Sequence, residues 1–427
     1  MNRISRRHFL TRSAAAATAS LALPYIVPSS ALGAAGSTAP GNRITMGAIG
    51  VGGMGTYDLK NFLEQDDVRF LGVCDVETKH RNRARDLINE KYGNKDCAAY
   101  NEFEQLLARD DIDALLIATP DHWHAPIAIA GAKAGKDMYC EKPISLTIAE
   151  GRAVADTMKR YSIVYQSGTQ RRSIRSFSFA VETARTGKVG KIHTIHVNLS
   201  EGPSCGVQQI RPVPDGFDYD RWLGPAPYEA YTPLRCHGNF RWLLDYSGGK
   251  LTDIGAHFND LAQWGNDSEM TGPVEYEGWG EFPKDGLFNT PTKYEITATY
   301  ADGVKLIMHA KSPRAVKFVG DEGWVSVDDD GNVNARPESI LKLRRFQQQG
   351  YAYMTGHHRN FLDCVKTRAT TIAPPEVAHR STTVCHTGNI CLLLGRKLKW
   401  DPKTERFIND PEANRMMART KRSPWHL

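Results

Sequence analysis

The chain has 427 residues, of which 41% are hydrophobic and 24% charged, with a net charge of +6. That length exceeds one ordinary core and fits two domains, and the composition is that of a globular protein. Part of the charge sits at the two ends, at Arg3, Arg6, Arg7 and Arg12 and at Arg415, Arg419, Lys421 and Arg422, so charge indicates no nucleic-acid partner.

The first segment reads as an address. Ser5-Arg6-Arg7-His8-Phe9-Leu10 precedes an apolar, alanine-rich run from Ala14 to Val27, and small residues follow at Ala31-Leu32-Gly33-Ala34. A charged start, an apolar stretch and a small-residue cleavage zone describe a secretory signal over residues 1–34, and the paired arginines specify the twin-arginine route to the periplasm. The competing reading, an amphipathic helix or membrane anchor, is disfavoured because Pro24 and Pro28 interrupt a short run, so no stable membrane span is expected. The twin-arginine export machinery carries folded proteins, which suits a chain that acquires a cofactor before it leaves.

From Arg43 the pattern alternates strand and helix. Strands are expected at Ile44–Ile49, Val68–Cys74, Ala114–Ala118, Met138–Cys140 and Ile163–Gln166. Helices are expected from the glycine loop to Glu64, then at Lys79–Tyr92, Ala125–Ala134 and Ile148–Arg160. Short apolar strands between helices predict a parallel sheet covered on both faces, over residues 43–168. The second domain, 169–396, opens with a helix at Phe177–Thr186 and an alternating strand at Ile192–Leu199. The Pro-, Gly- and aromatic-rich stretch Gly202–Tyr246 is too long for a simple connection and reads as an insertion or a substrate-covering loop. A helix near His257–Trp264 follows. Strands at Thr292–Tyr300 and Val304–Ala310 flank the Asp302-Gly303 turn, and others near Val316–Val319 and Trp324–Val327 extend an antiparallel or mixed sheet. Helices at His357–Thr367 and Val377–Leu394 pack on it. The tail, 397–427, has little periodicity and is expected to run over the surface or a neighbouring subunit. Of the eight cysteines, Cys74 and Cys140 fall in strands and are expected to be buried free thiols.

Three constellations carry chemistry. Gly50-Val51-Gly52-Gly53-Met54-Gly55 satisfies G-x-G-x-x-G directly after an apolar strand and at a helix start. The first glycine permits the turn, the second admits a pyrophosphate to the backbone, and the third allows close strand–helix packing. Asp75 ends the second strand about 20 residues beyond Gly55, where a ribose-binding acid belongs. Its charge favours NAD over NADP, although His80 and Arg81 leave that choice open. Thr119-Pro120-Asp121-His122-Trp123-His124 follows the third strand, at the sheet end where ligands bind. Thr119, Pro120, His122, Trp123 and His124 are therefore candidate cofactor contacts, and the two histidines alone do not make a metal set. Glu141-Lys142-Pro143 closes the next strand and can aim the Lys142 ammonium into the cleft. In Gly248-Gly249-(x)3-Asp253-(x)3-His257 an acid and a histidine four apart share one helical face and can address one bound hydroxyl.

In this combination and order the chain, from Ile44 to about Leu394, resembles the glucose–fructose oxidoreductase / inositol dehydrogenase / MocA family. The carriers are the Gly50–Gly55 loop, Thr119-Pro120 with His124, Gly135-Lys136-(x)4-Glu141-Lys142-Pro143, and Gly248-Gly249 with Asp253 and His257. The resemblance implies an α/β protein: an N-terminal Rossmann doubly wound parallel sheet, then a C-terminal α/β domain with a large open, mostly antiparallel sheet whose exposed face makes a homodimer or homotetramer. It implies Lys142 as the active-site lysine, with Asp253 and His257 at the substrate, and Glu141 and Lys142 beside the cofactor. Some exported relatives hold their nucleotide tightly.

The activity expected is oxidation of a secondary hydroxyl of a sugar or polyol. His257 serves as general base, Lys142 stabilises the alkoxide, and Asp253 orients the sugar. Arg171, Arg172, Arg241 and Trp242 are candidate substrate contacts, with a structural ion-pair role equally open for the two neighbouring arginines. One rival is an NAD-dependent glycoside hydrolase or lyase that oxidises transiently; family glycosidases tend to depart from Glu-Lys-Pro, which favours the plain dehydrogenase. The other rival is a non-catalytic sugar- or cofactor-binding protein.

Overall fold

Apolar runs buried on both faces make the first sheet. Ile44–Ile49 (β1), Val68–Cys74 (β2), Ala98–Tyr100 (β3), Ala114–Ile117 (β4), Asp137–Cys140 (β5) and Tyr165–Ser167 (β6) pair in the order β3-β2-β1-β4-β5-β6, every ladder parallel. The helices between them are Gly53–Leu63 (α1), Thr78–Tyr92 (α2), Phe103–Leu107 (α3), Asp121–Lys133 (α4) and Ile148–Tyr161 (α5). Strand order reverses beside β1, so a crevice opens between the loops that follow β1 and β4. The local sequence sets the helix ends. Gly93 in the left-handed region closes α2. At α5, Thr147 accepts from the Glu150 N–H while Glu150 reaches back to the Leu146 N–H, a capping box.

The computed structural model describes residues 40–343 and 354–427. The expected export signal, 1–34, lies outside them. Among the described residues no helix is long and apolar enough to cross a membrane.

The second sheet has nine strands in the order β13-β12-β11-β7-β10-β9-β8-β14-β15. They are Ile192–Asn198 (β7), Glu275–Glu281 (β8), Lys293–Thr299 (β9), Lys305–His309 (β10), Ala315–Gly320 (β11), Gly323–Asp328 (β12), Val333–Arg336 (β13), Leu398–Asp401 (β14) and Arg406–Phe407 (β15). Only β7 and β10 pair in parallel. Alternate residues such as Ile195, Val197, Ile296 and Phe318 are buried in one core with Phe177, Phe258 and Cys385, which come from helices on that side. The other alternates, among them Thr194, His196, Thr297, Ile307, Lys317 and Ser326, are half-exposed. The sheet is therefore one-sided, which period-two patterning favours in antiparallel ladders.

Three expectations change. Helix α4 begins at Asp121, so His122, Trp123 and His124 sit on its first turn and not in a loop. The tail does not merely cross the surface: β14 pairs with β8, and the Trp425 ring packs edge-on against Trp123 at 4.8 Å. The Gly202–Tyr246 stretch is more than a covering loop, with its own aromatic core of Phe217, Tyr219, Trp222, Tyr231, Phe240 and Tyr246. It is pinned to the loop after β2, where Thr78 N–H donates to the Gly216 carbonyl and Asp218 N–H to that of Val76.

Candidate active site

The cleft follows from the glycine loop. Gly52 caps α1 with no side chain on its first-turn N–H groups. Gly50 takes φ +79°, and a Cβ there would sit 2.7 Å from the Thr119 nitrogen. A Cβ on Gly55 would lie 1.9 Å from the Gly50 carbonyl oxygen, so Gly55 serves strand–helix packing and does not line the cleft. Gly53 faces open space, and a Cβ on Gly52 would touch only the His80 ring, at 4.0 Å. The result is an uncapped helix N-terminus over a side-chain-free loop, the cradle a pyrophosphate needs.

Asp75 follows β2 into the same cleft. One carboxylate oxygen accepts from Val51 N–H at 2.8 Å and the other from Glu77 N–H at 2.9 Å. Arg81 turns away, bonding the Asp75 carbonyl, Asn101 and Thr78. Two buried oxygens here, Thr119 Oγ1 and Glu77 Oε2, have no hydrogen-bond partner among the described residues, although Glu77 Oε2 lies 3.3 Å from His80 Nδ1. Glu77 was not singled out from the sequence; with His80 and His237 it brings ligand atoms within 4.8 Å of one another. The cradle, the ribose acid and the unpartnered Thr119 hydroxyl fit a dinucleotide.

The cleft, about 410 Å³, is lined by Gly50, Gly52, Gly53, Met54, Asp75, Thr119, Pro120, Trp123, His124, Glu141, Lys142, Arg241, Asp253 and His257, all expected there. His122 is not: its ring is buried and its Nε2 meets the Trp222 carbonyl at 3.0 Å. His124 sets its two nitrogens beside the carbonyls of Pro143 (2.6 Å) and Thr119 (2.8 Å), of which a neutral ring can donate to one. Burial lowers the two histidines to about 3 and about 4, so both are neutral scaffold.

At the far end Lys142 Nζ donates to Asp253 Oδ1 at 2.7 Å and to the Asp253 carbonyl at 2.8 Å. Arg241 Nε donates to the same Oδ1 at 3.0 Å. Burial opposes the Asp253 charge, but Lys142 and Arg241 outweigh it and hold the carboxyl well below its ordinary range. A short turn, Lys250–Asp253 (α6), and Gly255–Gly265 (α7) place Asp253 and His257. The His257 Nδ1 has no hydrogen-bond partner among the described residues, and burial reinforced by Arg171 and Lys142 drives the imidazole well below its ordinary pKa. The histidine is therefore an uncharged acceptor at working pH, not a group poised near 6.5.

Asp121, also missed from the sequence, lines the cleft and accepts from Ser247 Oγ. Burial pushes its carboxyl up to about 7. Glu141, between Gln170 Nε2 at 2.6 Å and its neighbour Lys142, is pushed up to about 8 by burial.

Three expected substrate contacts stand elsewhere. Arg172 is buried in an ion pair, with Nε 2.6 Å from Asp260 and Nη1 2.7 Å from Glu269; a guanidinium this enclosed requires carboxylates and cannot reach the cleft. Arg171 turns to Asp329 and lies over the Phe258 ring. Trp242 stacks beneath the Lys250 ammonium, 4.9 Å from its ring centre.

Fold and cleft together define an NAD-binding oxidoreductase. Residues 44–169 match the model for the oxidoreductase family's NAD-binding Rossmann fold, and 205–427 that for its C-terminal alpha/beta domain. The chain belongs to this Gfo/Idh/MocA family. It is 30% identical over 179 residues to myo-inositol 2-dehydrogenase of Thermotoga maritima, covering 42% of this chain and 49% of the relative. It is 34% identical over 175 residues to an alpha-N-acetylgalactosaminidase of Shewanella oneidensis, covering 38% of each. The chain thus spans half or less of the length of these curated relatives. The WlbA dehydrogenase of Bordetella pertussis, solved with NADH and UDP-GlcNAcA, shares the fold with a TM-score of 0.63 at 15% identity, over 84% of this chain and 99% of that one.

Proposed function

We propose that the protein is an NAD-dependent dehydrogenase that reversibly oxidises a ring secondary hydroxyl of a sugar, glycoside or polyol to the ketone. The observation that carries this reading is the meeting, across the cleft from the glycine loop, of Lys142 paired to Asp253 with a buried imidazole whose Nδ1 is free. When bound, NAD supplies the hydride acceptor; Gly50, Gly52, Gly53, Asp75 and Thr119 would hold it. Lys142 has three N–H donors and spends two on Asp253, which leaves one for the substrate oxygen. That bond strengthens as negative charge grows on the oxygen. His257, uncharged, accepts the hydroxyl proton, while Asp253 fixes the lysine and Arg241 fixes Asp253.

Relatives named as glycosidases favour a second reading, transient oxidation leading to glycosidic cleavage. Incubation with polyols and aryl glycosides separates them. Stoichiometric NADH is expected; released aglycone without net NADH would replace this function with the second.

We also read residues 1–34 as a twin-arginine export signal, supported by Arg6-Arg7. Cell fractionation of an Arg6→Lys, Arg7→Lys protein checks it, retention in the cytoplasm being expected. The half-exposed sheet face supports a homo-oligomer, which light scattering measures. Cofactor that survives gel filtration would mark it as tightly held.

A further inference from the structure

Three side chains at the ribose end of the cleft have no part in the chemistry described above. Glu77 precedes α2 as its capping residue without spending its carboxylate on the helix, and His80 stands three residues further on. His237 arrives from the Gly202–Tyr246 stretch, as the first residue of a short 3-10 turn. Its φ of +53° lies in the left-handed region, uncommon for any residue but glycine, and the Phe217 ring stacks against it at 5.8 Å. A side chain held in that conformation is placed by its surroundings, not by local preference. All three line the cleft.

Their ligand atoms converge. Glu77 Oε2 lies 3.3 Å from His80 Nδ1 and 3.7 Å from His237 Nδ1, and all three atoms fall within 4.8 Å of one another. Tetrahedral bonds of about 2.0–2.2 Å set neighbouring ligands about 3.3–3.6 Å apart, which the two separations from Glu77 approach. The competing account is an ion pair, in which a protonated histidine donates to the carboxylate. Such a donor would satisfy Glu77 Oε2, yet that oxygen is buried and accepts from neither ring, nor from any other described residue. A carboxylate oxygen enclosed without a donor is costly, and a cation bound between it and the two imidazoles would remove the cost. Asp75 Oδ1 is 3.8 Å from His80 Nδ1, but both Asp75 oxygens already accept backbone N–H groups. The fourth position on an ion would therefore go to water or to a ligand in the cleft.

We propose that Glu77, His80 and His237 form a divalent-cation site of the zinc class, which fastens the Gly202–Tyr246 stretch to the loop after β2. Two imidazoles and one carboxylate suit zinc and its neighbours cobalt and nickel, whereas magnesium and calcium prefer oxygen ligands throughout. Two ligands belong to the Rossmann domain and the third to the aromatic stretch, so the ion would reinforce the backbone bonds that already join them, from Thr78 N–H to Gly216 and from Asp218 N–H to Val76. The site stands away from Lys142 and His257 and supplies no step of hydride transfer.

The test uses tag-free protein stripped of metal with a chelator and free of nucleotide. Zinc is titrated by calorimetry and counted by mass spectrometry, and cobalt is added for its visible absorption. One zinc per chain is expected, with the strong visible bands of tetrahedral cobalt and a melting temperature that rises with added metal. His237→Ala and Glu77→Gln should each weaken zinc binding at least tenfold, with melting of the metal-free variants confirming that they fold. Should Glu77→Gln fail to fold, His237→Ala decides, because that side chain is half-exposed. His193→Ala, at an exposed histidine outside the cluster, should bind zinc like the parent. Absence of stoichiometric zinc, displacement of zinc by equal magnesium, or zinc binding unweakened in His237→Ala overturns the proposal. None of these measurements reads NADH, so the dehydrogenase reading stands or falls separately, by its own assay.

Discussion

At the residue scale the site turns on one hydrogen-bonded lysine. Lys142 is held by two bonds to Asp253, so its remaining donor is fixed in direction before substrate arrives. Such a preorganised donor acts on the charge that develops during reaction, and removing one comparable donor costs about 10²–10³ in kcat. Lys142→Met should therefore lower kcat by about that factor while changing KM little. It would also strip Asp253 of its principal counter-charge, leaving Arg241 as the contact that keeps the carboxylate ionised. Steady-state kinetics decide the matter: an unchanged kcat with a raised KM would make Lys142 a binding residue only.

At the element scale, packing between β1 and α1 sets the cradle. Gly→Ala within a helix ordinarily gains up to about 1 kcal/mol of propensity. At Gly55 that gain is lost, because the new methyl would meet the Gly50 carbonyl at 1.9 Å and drive strand and helix apart. Overpacking of this kind costs about 1–3 kcal/mol. Gly55→Ala should lower the melting temperature and weaken NAD binding, while Gly53→Ala, with nothing within 4 Å, should melt like the parent. Equal melting of the two variants would contradict the packing role.

The same scale shows what the sequence could reveal. Strands β1, β2 and β4 were legible because continuous apolar runs ended in glycine or polar loops. β3 is three residues long, and β8, Glu-Tyr-Glu-Gly-Trp-Gly-Glu, reads as polar because one face meets solvent. The residues of the cleft were mostly legible, since motif and strand end coincide. Their partners were not. Lys142 and Asp253 are 111 positions apart and Asp121 and Ser247 are 126 apart, and no periodicity links such positions. Asp121 at a helix start reads as an ordinary first-turn acid, although in the fold it is 4% exposed. Arg172 shows the reverse error, a basic residue near a strand end that the fold spends on Asp260.

At the scale of the whole molecule, two populations of buried groups set opposite limbs of a pH–stability curve. Burial holds His122, His124, His357 and His386 neutral, at about 3, 4, 3 and 4, and His257 lies well below its ordinary value. Below about 6.5 the unfolded chain protonates these imidazoles and the folded chain does not, so their contribution is lost as pH falls toward their folded values. Asp58, Asp121 and Glu141, raised by burial to about 8, about 7 and about 8, behave oppositely. Folded, they keep protons that the unfolded chain gives up above about 4, so their contribution is lost as pH rises through 7 to 8. Each unmatched proton changes stability by about 1.4 kcal/mol per pH unit. From about pH 4.5 to 6.5 the five imidazoles outnumber the three acids and stability climbs with pH; above 6.5 the acids dominate and it declines. Melting temperature should therefore peak near pH 6.5. Asp121→Asn keeps an oxygen that can accept from Ser247 but removes one proton of three, so it should flatten the alkaline limb by about a third. A melting temperature that rises steadily through pH 8, or an alkaline limb unaltered in Asp121→Asn, would show that these carboxyls are not held as neutral acids in the folded protein.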